Sequence, residues 1–269
     1  MKNTFLLSVL LCLILLTSCG SSNEDDPTEN LPDVEKLITQ VTSQRWQQEY
    51  PNYYNPDKFI YENGKLTKAW FYGCSGALYE FEYGVNNKIS TIYRGGSGSY
   101  ADINTSIKST GQITKHIYDT QDNLISITDD TGKILASLDY DSNGKLIKVD
   151  VKDFSIGKLE TFLYTDFDNN GNPTKNSAGF TYSYDERVNP IYVLYKKFGF
   201  FNIEMCNSLD ERRVFYISPN NVKEIIDNDN NDEIIFSAIY SYNSDGYPTS
   251  NSFSSKSGSD HSDVEVYSY

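Results

Sequence analysis

The chain has 269 residues and carries 37 acidic against 23 basic side chains, which gives a formal net charge of −14. This balance argues against nucleic-acid binding, because binding phosphates requires clustered Lys and Arg that displace counterions. It argues equally against docking on anionic lipid through a basic patch. It fits a soluble protein whose copies repel one another.

Residues 1–18 have the pattern of a targeting segment rather than of a folded element. Lys2 supplies a positive charge, and Phe5–Leu16 is an apolar run that only Ser8 interrupts. This run is shorter than the roughly 20 apolar residues that span a bilayer, and it suits the core of a signal peptide. We therefore predict a lipoprotein signal peptide over 1–18.

The leader ends in Leu16-Thr17-Ser18-Cys19, which resembles the bacterial lipobox. The resemblance implies cleavage after Ser18, a diacylglyceryl thioether on Cys19 and acylation of the new amino group. Several acyl chains anchor a protein stably where one chain is marginal. The alternative is an ordinary signal peptide followed by a chance cysteine.

Residues 19–33 are predicted to form an acidic flexible tether, because such a polar segment buries too little apolar surface to fold. In well-studied Gram-negative bacteria, an Asp directly after the lipidated cysteine retains a lipoprotein at the inner membrane. This chain has Gly20 at that position, which favours the outer membrane. The tract Ser21–Asp26 resembles the acidic signal that sends Bacteroidetes lipoproteins to the cell surface. We expect an outer-membrane lipoprotein at the cell surface, with the periplasmic face as the open alternative.

Residues 34–269 are predicted to be a domain of β-hairpin repeats. In each repeat an alternating strand ends in an aromatic residue, Asp, Asn and Gly follow, and Leu or Ile opens a second strand, which is a hairpin pattern. Tyr61 and Tyr83 are 22 residues apart, as are Tyr118 and Tyr140, enough for two strands and two turns. The repeats are Phe59–Lys68, Phe81–Ser90, His116–Ile125, Leu138–Ile147, Phe162–Tyr164, Tyr182–Asp185 and Tyr240–Thr249.

The predicted fold is all-β, an antiparallel β-meander of repeated hairpins that form a curled, twisted sheet. Two segments are less clear. The stretch 32–41 fits a helical face, but its β-branched residues and its likeness to Lys145–Lys148 favour the first strand. The stretch 188–201 is rich in aromatic and β-branched residues, and we predict strand and loop there.

The repeated Tyr-Asp-x-x-Gly-x-Leu units resemble the YD repeats of Rhs-type proteins. Together with the lipobox at Cys19, the segment Phe180–Asp185 with Asn189-Pro190, and Tyr240–Thr249, they resemble a DUF4595-like group of Bacteroidetes lipoproteins. The likeness covers most of residues 34–250 and implies fold and location, because that group has no settled activity. The departures are the absence of Asp after Tyr61, Tyr83 and Tyr164, and a Gly/Ser-rich insertion over 94–111.

Two cysteines remain in the mature domain once Cys12 leaves with the leader and Cys19 carries lipid. Cys74 and Cys206 either form a disulfide, which an extracytoplasmic location permits, or remain two separate buried thiols. No Cys-x-x-Cys spacing is present, so the cysteines indicate neither a redox motif nor a zinc site.

The calcium candidate is Asp166, Asp168 and Asn170, which match the first half of an EF-hand loop. Position twelve of that loop is Ser177 rather than the bidentate Glu that calcium requires. The alternative is a hairpin turn, for which Asp, Asn and Gly are the expected residues. We expect no other cofactor.

Catalytic motifs are absent from the sequence, and we predict that the protein is not an enzyme. His116 stands at a strand position and His261 lies in a Ser-rich tail, with no nucleophile elbow or zinc-binding helix beside them. Paired carboxylates for glycoside hydrolysis depend on spatial separation, so a carboxylate-based hydrolase is the weaker alternative.

Aromatic residues give the main indication of binding, since 22 of the 269 residues are Tyr. Trp70 and Tyr72 are the candidate ligand-binding residues, on a face suited to sugar rings or a peptide. The alternative is that these side chains form cross-strand pairs within the sheet. We predict a lipoprotein that acts by binding or scaffolding, with a glycan or protein ligand, and a carbohydrate-binding accessory protein as the alternative.

Overall fold

A computed structural model describes residues 36–51, 55–71, 76–95, 103–152, 159–201, 214–256 and 261–269. The chain divides into two units, Met1–Leu31 and Pro32–Tyr269, and the description below concerns the second. The predicted signal peptide, Cys19 and the tether lie outside the described residues, as do Tyr72, Cys74 and Cys206. Their assignments stay predictions.

The described residues form sixteen strands and three short α-helices. The strands are β1 (Gln40–Ser43), β2 (Asp57–Glu62), β3 (Lys65–Phe71), β4 (Ala77–Tyr83), β5 (Ile89–Arg94), β6 (Gln112–Tyr118), β7 (Leu124–Asp129), β8 (Ile134–Tyr140), β9 (Leu146–Lys152), β10 (Leu159–Phe167), β11 (Pro173–Asn176), β12 (Phe180–Val188), β13 (Asn220–Asp227), β14 (Glu233–Tyr242), β15 (Pro248–Ser255) and β16 (His261–Ser268). The helices are α1 (Gln44–Glu49), α2 (Pro190–Phe198) and α3 (Val214–Ile217), and a 3-10 turn spans Asn228–Asn230.

Each strand pairs antiparallel with the strands before and after it in the sequence, and β1 also pairs with β16, which closes the sheet into a barrel. The all-β antiparallel hairpin meander predicted from the repeats is confirmed. The sequence predicted a curled, twisted sheet, and the structure adds that this sheet is closed. Because the two edge strands pair with each other, the sheet has no open edge.

The two faces of the barrel wall differ in polarity because side chains alternate along each strand. Phe59, Tyr79 and Phe81 lie on the inner face and join one hydrophobic core that has members from strands all round the wall. Lys58, Glu82 and other polar side chains occupy the outer face. The core therefore lies inside the barrel.

A tyrosine in or just after seven of the even-numbered strands, β2, β4, β6, β8, β12, β14 and β16, donates to the strand before it or to the residues that lead into that strand. Tyr83, for example, donates its hydroxyl proton to the Leu66 carbonyl at 2.9 Å, and Tyr118 donates to that of Ile89 at 2.7 Å. The same bond joins Tyr61 to Ile38, Tyr140 to Leu124, Tyr184 to Pro173, Tyr240 to Val222 and Tyr269 to Pro248. We call this end of the barrel the tyrosine rim and the opposite end the far rim.

Burial raises the pKa of all seven of these tyrosines above the ordinary value, so each hydroxyl keeps the proton that it donates. The acceptor is in every case at or near the first residue of the preceding strand. The seven bonds thus repeat one contact around the tyrosine rim, and they explain the regular spacing of tyrosine in the sequence.

The Asp or Asn after the last aromatic residue of a hairpin strand shapes the turn that follows. The Asp141 Oδ1 atom accepts hydrogen bonds from the backbone N–H groups of Asn143 and Lys145, both at 2.9 Å. Asp119, Asp168 and Asn243 accept from the corresponding residues two and four positions later. In the Tyr-Asp unit, therefore, Tyr joins neighbouring strands and Asp closes the turn.

Two sequence expectations need correction. The first strand begins at Gln40, later than the stretch 32–41 suggested, although Ile38 is fully buried ahead of it. The prediction of strand and loop over 188–201 is wrong beyond the end of β12, because α2 spans Pro190–Phe198. Asn189 caps its N-terminus and Gly199, at a φ of 72°, ends it, so local capping outweighs the β-branched composition.

We predict that Tyr83→Phe lowers the free energy of unfolding by about 1 kcal/mol, since it removes the hydrogen bond to the Leu66 carbonyl while keeping the ring. Urea unfolding followed by circular dichroism measures the change. The control is Tyr50→Phe, where the side chain is 44% exposed and little change is expected. Equal stability of the two variants would contradict a structural role for the rim hydroxyls.

Candidate functional site

The turn after β12 differs from the others in carrying a long insertion. Asp185 accepts from the Arg187 N–H at 2.9 Å and from the Asn221 N–H at 3.2 Å. These donors occupy the places that Asn143 and Lys145 take in the Asp141 turn. Residues 188–220 therefore stand where that turn has a single glycine, and the turn geometry survives around them.

The described parts of this insertion, 189–201 and 214–219, lie in the interior of the barrel and are called the inserted segment below. Phe200 lies against Phe59, Phe71 and Phe81 with ring centroids 6.4, 6.1 and 5.6 Å away. Those three side chains belong to β2, β3 and β4, whereas the segment leaves the wall between β12 and β13. The segment thus crosses the interior and completes the core.

Two polar side chains of the inserted segment, those of Asn189 and Ser218, form hydrogen bonds within it. The Asn189 side-chain amide donates to the carbonyls of Phe215 at 2.6 Å and Ser218 at 2.9 Å. The Ser218 hydroxyl donates to the Val214 carbonyl at 2.7 Å. These bonds hold α2 and α3 together as one unit.

Polar contacts from Tyr195, Ser218 and the last turn of α2 join the segment to the wall. The hydroxyls of Tyr195 and Tyr140 lie 2.6 Å apart, and the Ser218 hydroxyl is 3.3 Å from that of Tyr184. The Lys88 ammonium donates to carbonyls of the last turn of α2, where the helix dipole favours a cation. Burial nevertheless lowers the pKa of Lys88.

Gly199 and His116 meet where α2 ends. A Cβ atom on Gly199 would lie 2.0 Å from the Tyr118 hydroxyl oxygen, so no side chain fits there. His116, on the inner face of β6, is 5% exposed, and neither ring nitrogen has a hydrogen bond of good geometry among the described residues. Burial lowers the pKa of His116 to about 4, and the nearby backbone of Gly199 offsets this only in part.

The residues of the predicted calcium site lie at the turn between β10 and β11. Asp168 Oδ1 accepts from the backbone N–H groups of Asn170 and Asn172, and its Oδ2 accepts from the Asn172 amide at 2.8 Å. Asp166 faces Lys175, with 3.6 Å between the charged atoms. Among the described residues no group of three or more His, Cys, Asp or Glu side chains is placed to hold a metal. The geometry favours the hairpin-turn alternative, and calcium binding stays a prediction.

Trp70 lies on the outer face of β3 and is 5% exposed. It packs with Leu78 and Ile107 in a small cluster separate from the core. Ile107 belongs to the Gly/Ser-rich insertion, which is held to the wall because Glu80 accepts from the Ile107 N–H at 2.8 Å and from the Ser106 hydroxyl at 2.9 Å. The Trp70 ring is covered in this structure, and its role in ligand binding stays a prediction.

Sequence reasoning missed the inserted segment, although signals for it exist. Asn189-Pro190 and Gly199 are start and stop signals of a helix. The distance from Asp185 to the next hairpin motif also exceeds the regular repeat. Among the described residues, no helix is long and apolar enough to cross a bilayer.

No protein-family profile and no curated protein matches the chain. Among solved structures, a porin-like protein from Bacteroides uniformis is 14% identical over 87% of this chain and 94% of that one, with a TM-score of 0.36. The TcdB2–TccC3–Cdc42 complex is 12% identical over 74% of this chain, with a TM-score of 0.32, and the Tc holotoxin pore of Photorhabdus luminescens is 12% identical over 86%, with a TM-score of 0.29. The chain spans 10% and 11% of those two toxin chains. All three scores are below 0.5, so no conclusion about fold or function follows from them.

We predict that Gly199→Ala destabilises the protein more than Gly144→Ala does. Both glycines have a positive φ, 72° and 73°, but only Gly199 faces a neighbour, since nothing lies within 4 Å of a Cβ at Gly144. Placing an Ala at a positive φ costs about 1–2 kcal/mol at either position, so this cost cancels in the comparison of the two variants. The clash with Tyr118 adds about 1–3 kcal/mol to the loss of stability at Gly199 alone. Urea unfolding of both variants measures the difference; equal losses would contradict the close contact with Tyr118.

We predict that His116 makes the protein less stable as the pH falls from about 6.5 to about 4. Because its pKa is lowered on folding, the unfolded chain takes up the proton first, and stability falls by up to about 1.4 kcal/mol per pH unit. Below pH 4 the loss is complete. The measurement is the free energy of unfolding against pH for the native chain and His116→Gln, whose curve lacks this component; parallel curves would contradict the prediction.

Proposed function

We propose that this protein is an outer-membrane lipoprotein, anchored through acyl chains on Cys19, that presents the barrel as a non-enzymatic domain for binding or scaffolding. The observation that supports it most is the polarity of the barrel, whose inner face is apolar and whose outer face is polar. A barrel that spans a membrane has an apolar band on its outer face. Attachment through a lipid anchor is consistent with a polar wall.

Outward positions of the strands carry charged and hydroxyl side chains such as Lys115, Asp139 and Lys148. The exposed large apolar side chains of the strands are spread over β6, β8, β10 and β14, and they are Ile117, Ile134, Leu163, Ile234 and Ile239. Scattered apolar residues of this kind are usual on a water-exposed surface. The interior holds the inserted segment, which favours a binding or scaffolding role over conduction.

The finer parts of the proposal rest on the sequence. Gly20 and the acidic tract 21–26 support an outer-membrane location at the cell surface. The carboxylates of Asp119, Asp141 and Asp168 close their own turns, which supports a role without catalysis. A protein or glycan is the ligand that we propose for the outer surface, and the formal charge of −14 disfavours nucleic acid.

We predict that Cys19→Ser abolishes lipid labelling of the protein expressed in a Gram-negative host. The measurement is incorporation of a clickable palmitate analogue, together with membrane fractionation and intact mass. Cys12→Ser is the matched control, because it changes the same residue type within the same leader and leaves the lipobox intact. Labelling of Cys19→Ser at the level of the native chain would overturn the anchor.

A further inference from the structure

We propose that Asn63 is a modification site, at which the folded chain deamidates without an enzyme to aspartate and isoaspartate, whereas Asn143 and Asn170 persist. The sequence has three Asn-Gly pairs, which begin at these residues. All three asparagines are exposed in turns at the tyrosine rim. The inference concerns the folded domain, and it does not depend on how or where the protein is anchored.

Deamidation of an Asn-Gly pair needs a glycine N–H that solvent can deprotonate. The nitrogen then attacks the Cγ atom of the asparagine, so that a C–N bond forms and the bond to the side-chain NH₂ breaks. That group leaves as ammonia with the proton. Water opens the resulting cyclic imide at one of its two carbonyls, which gives aspartate or isoaspartate. A glycine N–H that is hydrogen-bonded has to be released before it reacts, as it does before hydrogen exchange.

The turn at Asn63 leaves its glycine N–H open. Asn63 and Gly64 alone lie between the paired residues Glu62 and Lys65. Their φ angles of 51° and 75° are those of a type I′ turn, in which the hydrogen bonds join the flanking residues. The Gly64 N–H forms no hydrogen bond among the described residues. Solvent therefore reaches this nitrogen without any opening of the turn.

The other two turns hold their glycine N–H groups. The Gly144 N–H donates to the Asp141 carbonyl at 3.1 Å, and the Gly171 N–H donates to the Asp168 carbonyl at the same distance. Crowding does not distinguish the first of these from Gly64, because no described atom beyond the chain neighbours lies within 4 Å of a Cβ at either glycine. The hydrogen bond is what separates the two sites.

Conversion of Asn63 would change the hairpin as well as its charge. The amide becomes a carboxylate beside Glu62, so the chain gains a negative charge. In isoaspartate the backbone runs through the former side chain, which lengthens a turn whose size fixes the register of β2 and β3. Tyr61, whose hydroxyl binds the Ile38 carbonyl, lies two positions before the altered residue. The modification therefore falls beside one of the contacts of the tyrosine rim.

The first experiment follows the three sites in the full folded chain during incubation at mildly alkaline pH. Mass spectrometry measures deamidation in the tryptic peptides that carry them, which are Phe59–Lys65, Ile134–Lys145 and Leu159–Lys175. We expect Asn63 to convert about tenfold faster than the other two sites, the factor that corresponds to one hydrogen bond of ordinary strength. In urea all three should convert at similar rates. Equal rates in the folded chain, or a difference that persists in urea, would overturn the proposal.

The second experiment gives one hairpin the turn of the other. The segments Tyr61–Leu66 and Tyr140–Leu146 differ only by the additional Ser142 and by Asp141 in place of a glutamate. Deleting Ser142 and adding Asp141→Glu therefore gives the β8–β9 hairpin the turn sequence of the β2–β3 hairpin. We expect Asn143 of this variant to convert as fast as the asparagine of the native two-residue turn.

The matched control is Ser142→Ala, which changes the same position and keeps the longer turn, so Asn143 should stay slow in it. Far-UV circular dichroism checks that both variants are folded. Slow conversion of Asn143 in the folded, shortened turn, or fast conversion in Ser142→Ala, would overturn the proposal. The comparison of the three sites in the native chain decides the question even where the shortened variant does not fold.

Discussion

The structure depends on one repeated contact, the hydrogen bond from a buried tyrosine hydroxyl to a carbonyl at or near the start of the preceding strand. A buried hydroxyl without an acceptor is costly, so each tyrosine tolerates only one register between its strand and the neighbour. Seven such bonds stand around one rim. Each of these bonds fixes the register of one strand pair, and the right-handed twist of the sheet curls the registered strands into the barrel.

The sequence predicts much of this wall and little of what it encloses. Alternating apolar residues and Asp–Gly turns are local signals, so the hairpins around Tyr83 and Tyr140 follow from sequence alone. Closure does not, because pairing of Gln40 with Ser268 joins the two ends of the domain. Helix α2 was missed because its aromatic side chains suit a strand equally well, and only the caps at Asn189 and Gly199 separate the two.

The candidate residues show the same division between local and distant information. The sequence offered Asp168 and Asn170 either as turn residues or as calcium ligands. What separates these two roles is the direction of the two carboxylate oxygens of Asp168, which accept hydrogen bonds from the turn itself. Trp70 was placed on a strand, but the loop that returns Ile107 over its ring is far along the chain. His116 was placed at a strand position, but its burial to 5% exposure is set by tertiary packing inside the barrel. Contacts of that kind are set by tertiary packing, which one sequence does not encode in any short window.

Pairing of the first strand with the last also has a consequence for export. A chain that crosses a membrane from its N-terminus delivers β1 long before β16, and until then β1 has one unpaired edge, open to other chains. Ring completion is consequently the last event in assembly, and its contacts have the largest sequence separation in the domain. In the exported form that we propose, that edge has to be shielded throughout translocation, so factors that hold the unfolded chain would govern the yield more than the final stability does.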